Sequence, residues 1–98
     1  MTIGIDKNGE KLTISPEGRI DAVTANDFAK AIDDNIAGVK ELVFDFEKLD
    51  YISSAGLRVL LTSQKTMSKV GSMKLIHVAD VIMDVFNITG FADILTIE

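Results

Sequence analysis

Hydrophobic and polar residues alternate along the first part of the chain. Ile3 and Ile5 stand between polar neighbours, and the alternation resumes at Leu12 and Ile14 after the pair Asn8-Gly9. A period of two on either side of an Asn-Gly pair is typical of a β-hairpin. The Ser-Pro-Glu-Gly segment that follows predicts the end of the second strand.

A helical spacing of apolar residues begins at Thr24. The run from Thr24 to Asp27 is close to a capping box, with an acid at the third helical position, and apolar residues then recur at helical spacing as far as Ile36. Gly38 ends this predicted helix. The almost continuous apolar run within 41–46 is typical of a central strand that is covered on both faces.

The rest of the chain alternates helices with strands. The pattern predicts a second helix over 54–70, a strand over 73–78, a short helix that begins at Asp80 and a last strand over 94–97. Helices of this length between strands need right-handed crossovers, so the strands after the hairpin should be largely parallel. The sequence therefore predicts one α/β domain over residues 1–98, with a mixed sheet of about five strands in the order ββαβαβαβ.

Length and composition limit the kind of function. In a chain of 98 residues nearly all apolar side chains must serve one core, which leaves little for a deep active-site pocket. The chain has no cysteine, so disulfides, thiolate metal sites and thiol nucleophiles are excluded. No apolar stretch approaches the roughly 18 residues of a membrane span, and the first residues lack the pattern of a secretory signal. A cytoplasmic location is the expectation.

The net charge of −5 argues against nucleic acid or an anionic membrane surface as the partner. Residues 1–50 carry six basic and eleven acidic residues, whereas residues 51–98 carry four of each. All of the net negative charge therefore lies in the first half.

The connection between the central strand and the second helix is the expected functional segment, because partners of parallel α/β sheets usually meet the strand C-terminal ends. It contains Ser53 and Ser54. One interpretation is that Ser53 or Ser54 is simply the N-cap of the helix and has no further function. An exposed serine at a helix N-terminus could also accept a phosphate without unfolding the helix. Such a phosphate would add about −1.5 to −2 charges near Asp45, Asp50 and Asp21, and a partner docked there would be expelled.

Catalytic and metal-binding alternatives lack the residues that they need. In a nucleophile elbow, a glycine would stand where Ile52 is found. The single histidine, His77, lies in an apolar run and is expected to be a strand residue. No glycine-rich phosphate-binding motif occurs. Asp45 is expected to accept from loop amides as an isolated carboxylate, and a metal site would have only scattered carboxylates. We therefore expect no catalytic residue, no metal site and no cofactor.

The segment around the two serines resembles a known signature. Asp45-Phe46, Leu49 and the string from Tyr51 to Leu61 are similar to the signature of the bacterial anti-sigma factor antagonists, the STAS domain family. The stretch from Gly18 to Ala22, followed by Thr24, resembles the other recognisable stretch of that family. The similarity extends over about the whole chain, and it implies that residues 1–98 form a single STAS-like domain.

The resemblance implies a function in partner switching. In this family the unphosphorylated protein binds an anti-sigma factor that is also a serine kinase, and the sigma factor is set free. The kinase phosphorylates the antagonist, and a PP2C-type phosphatase removes the phosphate. Aligned on Gly56-Leu57, the acceptor is Ser54, with Ser53 as the alternative. The implied docking face consists of Asp21, Thr24, Ser53, Ser54, Ala55, Gly56, Leu57 and Arg58.

A second function is open within the same family. STAS domains also serve as docking modules that are not phosphorylated, and in such a module both serines would be helix caps only. In neither function is this chain expected to be an enzyme, to bind nucleic acid or to span a membrane.

Overall fold

A two-residue turn, Gly9-Glu10, joins β1 (Thr2–Asn8) to β2 (Lys11–Ile20) in the computed structural model, which describes all residues from 1 to 98. The two strands pair antiparallel, with Asn8 opposite Lys11. Gly9 has a φ of 63°, a conformation that glycine adopts without steric cost. The predicted hairpin is confirmed.

β2 is longer than its sequence pattern indicates. The predicted end at the Ser-Pro-Glu-Gly segment is wrong, because the strand continues to Ile20. Only β1 pairs with residues 15–17 of β2. Pro16, which has no N–H to donate, therefore lies where β2 has one partner rather than two, and a proline is tolerated there.

The remaining strands run parallel to β2, as predicted. β3 (Glu41–Asp45) pairs with β2 and with β5 (Ser72–Ile76), which gives the strand order β1-β2-β3-β5. Val43 is buried like its neighbours Leu42 and Phe44. Because side chains alternate along a strand, both faces of β3 are covered.

A strand that the pattern does not predict follows β3. β4 (Leu49–Ile52) pairs in parallel with the end of β2, from Gly18 to Ile20. It has only four residues, of which the first and last are buried and the middle two are exposed. A segment of four residues in which only the first and last are buried is too short for its hydrophobic pattern to distinguish a strand from a loop.

The predicted last strand over 94–97 is wrong. The chain there forms a 3₁₀ turn (Phe91–Asp93) and then a single parallel bridge between Ile97 and Leu75. The count of about five strands holds, but the order is ββαββαβα, because β4 takes the place of the terminal strand.

Three helices complete the fold: α1 (Thr24–Asn35), α2 (Ser54–Val70) and α3 (Asp80–Thr89). The bounds of α2 agree with the prediction. The core lies between the helices and the sheet, and its aromatic centre is Phe28 of α1, whose ring centroid is 5.4 Å from that of Phe44. This packing fixes α1 against β3 and so sets the position of the helix N-termini relative to the sheet.

Candidate functional site

Two helix N-termini lie side by side at one end of the sheet. α1 follows β2 and α2 follows β4, and these two strands are parallel neighbours in which Ile20 pairs with Ile52. The backbone N–H of Ser53 donates to the carbonyl of Ile20 at 2.8 Å. The two stretches singled out in the sequence, around Asp21 and around Ser53, therefore meet at a single surface.

Ser53 is the N-cap of α2. Its backbone is extended, with φ −92° and ψ 175°, and its hydroxyl accepts from the backbone N–H of Gly56 at 3.4 Å. The side chain is half-buried. The capping function that either serine could have had is therefore performed by Ser53.

Ser54 is the first residue of α2 and is exposed. Its hydroxyl makes no hydrogen bond within the chain. At this position the free N–H groups of the first turn and the positive end of the helix dipole favour negative charge. A phosphoryl group on this oxygen would break no side-chain hydrogen bond of the folded chain.

The start of α1 is held by Asp21 and Thr24. The carboxylate of Asp21 accepts from the backbone N–H of Thr24 and of Val23, each at 2.9 Å, and the hydroxyl of Thr24 accepts from the backbone N–H of Asp21 at 2.9 Å. This is a reciprocal capping box that begins three residues earlier than predicted, so the prediction of a box starting at Thr24 is wrong. The hydrogen bonds from Thr24 and then Val23 hold the pKa of Asp21 below its usual value. A fixed negative charge therefore stands at this surface.

Gly56 and Leu57 belong to the core. A Cβ on Gly56 would lie 2.6 Å from Cγ1 of Ile52 and 2.7 Å from Cγ2 of Ile20, so only glycine lets α2 approach the sheet this closely. Leu57 is 5% exposed. Of the predicted docking residues, these two therefore shape the site from beneath. The surface above them consists of exposed Ser54 and Arg58 and of half-buried Asp21, Thr24, Ser53 and Ala55.

Residues that the sequence pattern does not single out extend this surface. Val23 is 76% exposed between the two capping residues of α1. Arg19 places its guanidinium carbon 4.2 Å from the ring centre of Tyr51, so the ends of β2 and β4 also interact through a cation–π contact. Val23 could have been found from the sequence, because it is an apolar residue among the polar residues at the start of α1. The contact of Arg19 with Tyr51 could not, because it depends on the unpredicted strand β4.

Arg58 lies beside a shallow groove between α1 and α2. The groove has a volume of about 190 Å³ and includes Ile32 and Asp33 of α1 and Val59 of α2 among its lining residues. Its volume is below the roughly 300 Å³ typical of small-molecule sites. The groove continues the accessible surface from Ser54 along the helix pair.

Asp45 and His77 form a pair that the sequence pattern does not predict. Nδ1 of His77 lies 2.9 Å from Oδ1 of Asp45, and it lies 3.8 Å from Oε2 of Glu47. The expectation of an isolated Asp45 and of a strand position for His77 is therefore wrong, although Asp45 does accept from the backbone N–H of Glu47 at 3.1 Å, as expected for a loop amide. His77 comes just after β5, with φ 57°. Nothing in the sequence pairs residues 45 and 77, because their contact depends on the alignment of β3 with β5.

The expected proximity of Asp45 to the serines is also wrong. Phe44 pairs with Ile14 of β2, whereas Ile52 pairs with Ile20. Six residues of a strand span about 20 Å. Asp45 is therefore remote from the α2 N-terminus. Asp21, which lies between β2 and α1, is the carboxylate next to that N-terminus.

None of the three helices is both long enough and apolar enough to cross a membrane.

Comparisons with known proteins agree on one family. The model of the STAS domain matches residues 2–98. A protein of Bordetella bronchiseptica named as an anti-sigma factor antagonist, BtrV, is 32% identical over 96 residues, which cover 96% of this chain and 83% of that protein.

Solved structures share the fold. An anti-sigma factor antagonist from Mycobacterium paratuberculosis superposes with a TM-score of 0.88 at 22% identity, over 98% of this chain and 83% of that one. The Bacillus cell fate determinant SpoIIAA in its phosphorylated form superposes with a TM-score of 0.77 at 19% identity, over 99% of this chain and 91% of that one. The mixed five-stranded sheet with three helices is therefore the fold of these proteins.

Proposed function

This chain belongs to the STAS domain family, and from that membership we propose that it is an anti-sigma factor antagonist whose docking is controlled by phosphorylation of Ser54. Its partner in the unphosphorylated state would be an anti-sigma factor that is also a serine kinase. Occupation of that partner releases the sigma factor in the cytoplasm, and a PP2C-type phosphatase restores the docking form.

The observation that carries the proposal is the division of tasks between the two serines. Ser53 caps α2 with its hydroxyl, whereas Ser54 is exposed and its hydroxyl makes no hydrogen bond within the chain. A kinase can therefore reach the Ser54 oxygen, and the helix retains its cap after modification. Ser53 is the poorer acceptor because its phosphorylation would disrupt the cap.

The relatives support the same function. BtrV is named as an anti-sigma factor antagonist at 32% identity, and the SpoIIAA structure of the same fold is of a phosphorylated form. These two observations support the class of partner and the type of modification.

The expected effect of the phosphate is electrostatic and steric. It adds about −1.5 to −2 charges and three acceptor oxygens to the N-terminus of α2. The neighbouring carboxylate of Asp21 is ionised, since its pKa is lowered by its own hydrogen bonds. A partner surface that complements the unmodified site then meets excess negative charge and added bulk, while the helix dipole keeps the fold intact.

The chain itself contributes the nucleophilic oxygen and no catalytic group. In the transfer, the Ser54 oxygen forms a bond to the γ-phosphorus of ATP, the bond to the β-phosphate oxygen breaks, ADP leaves, and the hydroxyl proton passes to a base of the kinase. The kinase therefore supplies the catalytic groups, and this chain supplies the docking surface and the acceptor oxygen.

Phosphate mapping tests the acceptor. The purified chain is incubated with ATP and each serine kinase of the anti-sigma factor class from the same genome, and the product is analysed by mass spectrometry. One phosphate on Ser54 is expected, and Ser54→Ala should abolish it. Absence of phosphate from both Ser54 and Ser53 would contradict phosphorylation control.

Binding measurements separate the switch from a constitutive docking module. Ser54→Asp should weaken binding to the kinase while the circular dichroism spectrum stays native. Thr66→Asp is a matched control, because it adds the same charge to an exposed position of α2 about 18 Å further along the helix. If Ser54→Asp binds as tightly as Thr66→Asp, the protein is a docking module without a phosphate switch.

A further inference from the structure

Three side chains from separate parts of the chain converge at the C-terminal ends of β3 and β5. Asp45 is the last residue of β3, Glu47 lies in the turn after it, and His77 follows β5. One ligand atom from each of the three residues lies within 4.8 Å of the other two. We call Asp45, Glu47 and His77 the β3–β5 cluster. It lies about 20 Å from the α2 N-terminus along β2, so the proposed docking face does not account for it.

The backbone brings the cluster together. Asp45 pairs with Ile76 across the parallel strands, and the N–H of Phe46 donates to the carbonyl of Ile76 at 3.0 Å. His77 is therefore the first residue beyond the ladder. The N–H of Glu47 in turn donates to Oδ1 of Asp45, which draws the second carboxylate towards the first. The segments that follow β3 and β5 thus bring the side chains of the β3–β5 cluster close together.

We propose that the β3–β5 cluster is a binding site for a transition-metal dication of the zinc type. Ligand atoms at about 2.0–2.2 Å from a tetrahedral zinc ion are roughly 3.3–3.6 Å apart. Nδ1 of His77 lies 2.9 Å from the Asp45 oxygen and 3.8 Å from the Glu47 oxygen, and these values bracket that spacing. The Asp45 and Glu47 oxygens lie within 4.8 Å of each other, so the two carboxylates would have to draw together around a common ion.

The chemistry of the three ligands selects the metal. An imidazole nitrogen suits zinc, copper and nickel, whereas magnesium and calcium take oxygen ligands almost exclusively. Two carboxylates and one neutral imidazole also balance the charge of a dication. A site with a nitrogen and two oxygen ligands is therefore expected to prefer Zn²⁺ over Mg²⁺.

The surroundings leave room for the ion and for a further ligand. A cleft of about 240 Å³ opens beside the cluster, where residues 15–17 of β2 have no partner other than β1; it is lined by Ser15, Pro16, Glu17, Asp45, Glu47 and Lys48. The side chains of His77 and Glu47 are 57% and 69% exposed, so the ion can enter directly from solvent. Three protein ligands with an open fourth position would bind a water molecule or an acidic group of another molecule.

The competing explanation is a simple ion pair between His77 and Asp45. The Asp45 hydrogen bond raises the pKa of His77, so a proton competes with the metal for Nδ1 at low pH. Zinc binding should therefore be measured at alkaline pH, where fewer of the imidazoles carry the competing proton.

The test is a titration of the full chain with ZnCl₂, followed by calorimetry and by ¹⁵N NMR of the His77 ring. One equivalent of zinc should bind and shift the Nδ1 resonance. His77→Gln and Asp45→Asn should each weaken zinc binding by about tenfold or more. Asp34→Asn is the control, since it removes a carboxylate from the exposed Lys30–Asp34 pair elsewhere, and it should bind like the unchanged chain. The same concentration of MgCl₂ should leave the His77 resonances in place.

Two results would overturn the proposal. One is that zinc produces neither heat nor a shift of His77. The other is that His77→Gln and Asp34→Asn bind zinc equally well, which would place the ion on scattered surface carboxylates. Circular dichroism of each variant confirms that it is folded, and Glu47→Gln, at a largely exposed position, provides a third variant that removes a ligand without touching the His77–Asp45 contact.

Discussion

The hydroxyl of Ser53 accepts a hydrogen bond from the backbone N–H of Gly56 and so caps α2, which leaves the hydroxyl of the next residue exposed. The cap and the exposed hydroxyl therefore belong to different residues. The segment from Ser53 to Gly56 combines a capping serine, an exposed serine and a glycine that allows close packing against the sheet.

The two serines should differ in their effect on stability. Ser53→Ala removes the cap and should lower the free energy of unfolding by about 1 kcal/mol. Ser54→Ala removes an exposed hydroxyl without a partner, and its effect should stay within about 0.5 kcal/mol. Urea denaturation of both variants measures the difference. A larger loss for Ser54→Ala than for Ser53→Ala would mean that Ser54 is the cap.

Gly56→Ala should be destabilising by about 1–3 kcal/mol, because its methyl group would overlap with Ile52 and Ile20 beneath α2. Gly4→Ala is the matched control, since the nearest atom to its added Cβ is 3.4 Å away in Ser15. The melting temperature should fall for the first variant and change little for the second. Equal melting temperatures would show that α2 can move away from the sheet at little cost.

Asp21 should make the free energy of unfolding depend on pH in the acid range. Its pKa is lowered in the folded chain, so the unfolded chain takes up a proton first as the pH falls. The stabilisation is present above the ordinary aspartate pKa of about 3.9 and is lost as the pH falls through the lower folded value.

Asp21→Asn provides the test, because asparagine can still cap the helix but does not titrate. The difference in unfolding free energy between the unchanged chain and this variant should shrink between about pH 5 and pH 2. Asp84→Asn, at an exposed position of α3, is the control. A difference that is constant across this range would show that the charge of Asp21 adds nothing to folding.

Leu57 and Arg58 should separate folding from docking. Leu57 is buried in the core, and Leu57→Ala should lower the free energy of unfolding by about 2–5 kcal/mol. Arg58 is exposed at the groove between α1 and α2, so Arg58→Ala should change stability by no more than about 0.5 kcal/mol and instead weaken binding to the kinase. Unaltered binding by Arg58→Ala would place the docking face away from this groove.

The elements that the sequence predicts well are those with a strong local signal. The β1–β2 hairpin and the apolar stripe of α2 are read from neighbouring residues alone. β4 is not predicted because it is a strand only through its pairing with Gly18 to Ile20. The pattern within a segment of four residues does not reveal such a pairing.

The site follows the same rule. Ser53 and Ser54 lie next to each other in the sequence, so their segment can be found there, although which serine caps the helix depends on backbone angles. His77 and Asp45 are 32 residues apart, and only the parallel alignment of β3 with β5 brings them together. Asp21 lies between these cases: the helix begins at Thr24 as predicted, but the pattern places the capping box at Thr24 to Asp27, whereas Asp21 and Thr24 form it.

The separate placement of cap and acceptor has a consequence for how such a protein evolves. Replacement of Ser54 costs the fold almost nothing, so one nucleotide change in its codon would yield a chain that is still abundant and still recognised by its partner. Quality-control proteases would not remove it. Under the proposed control by Ser54, regulation would therefore be lost or regained in a lineage without a period in which the protein is unstable.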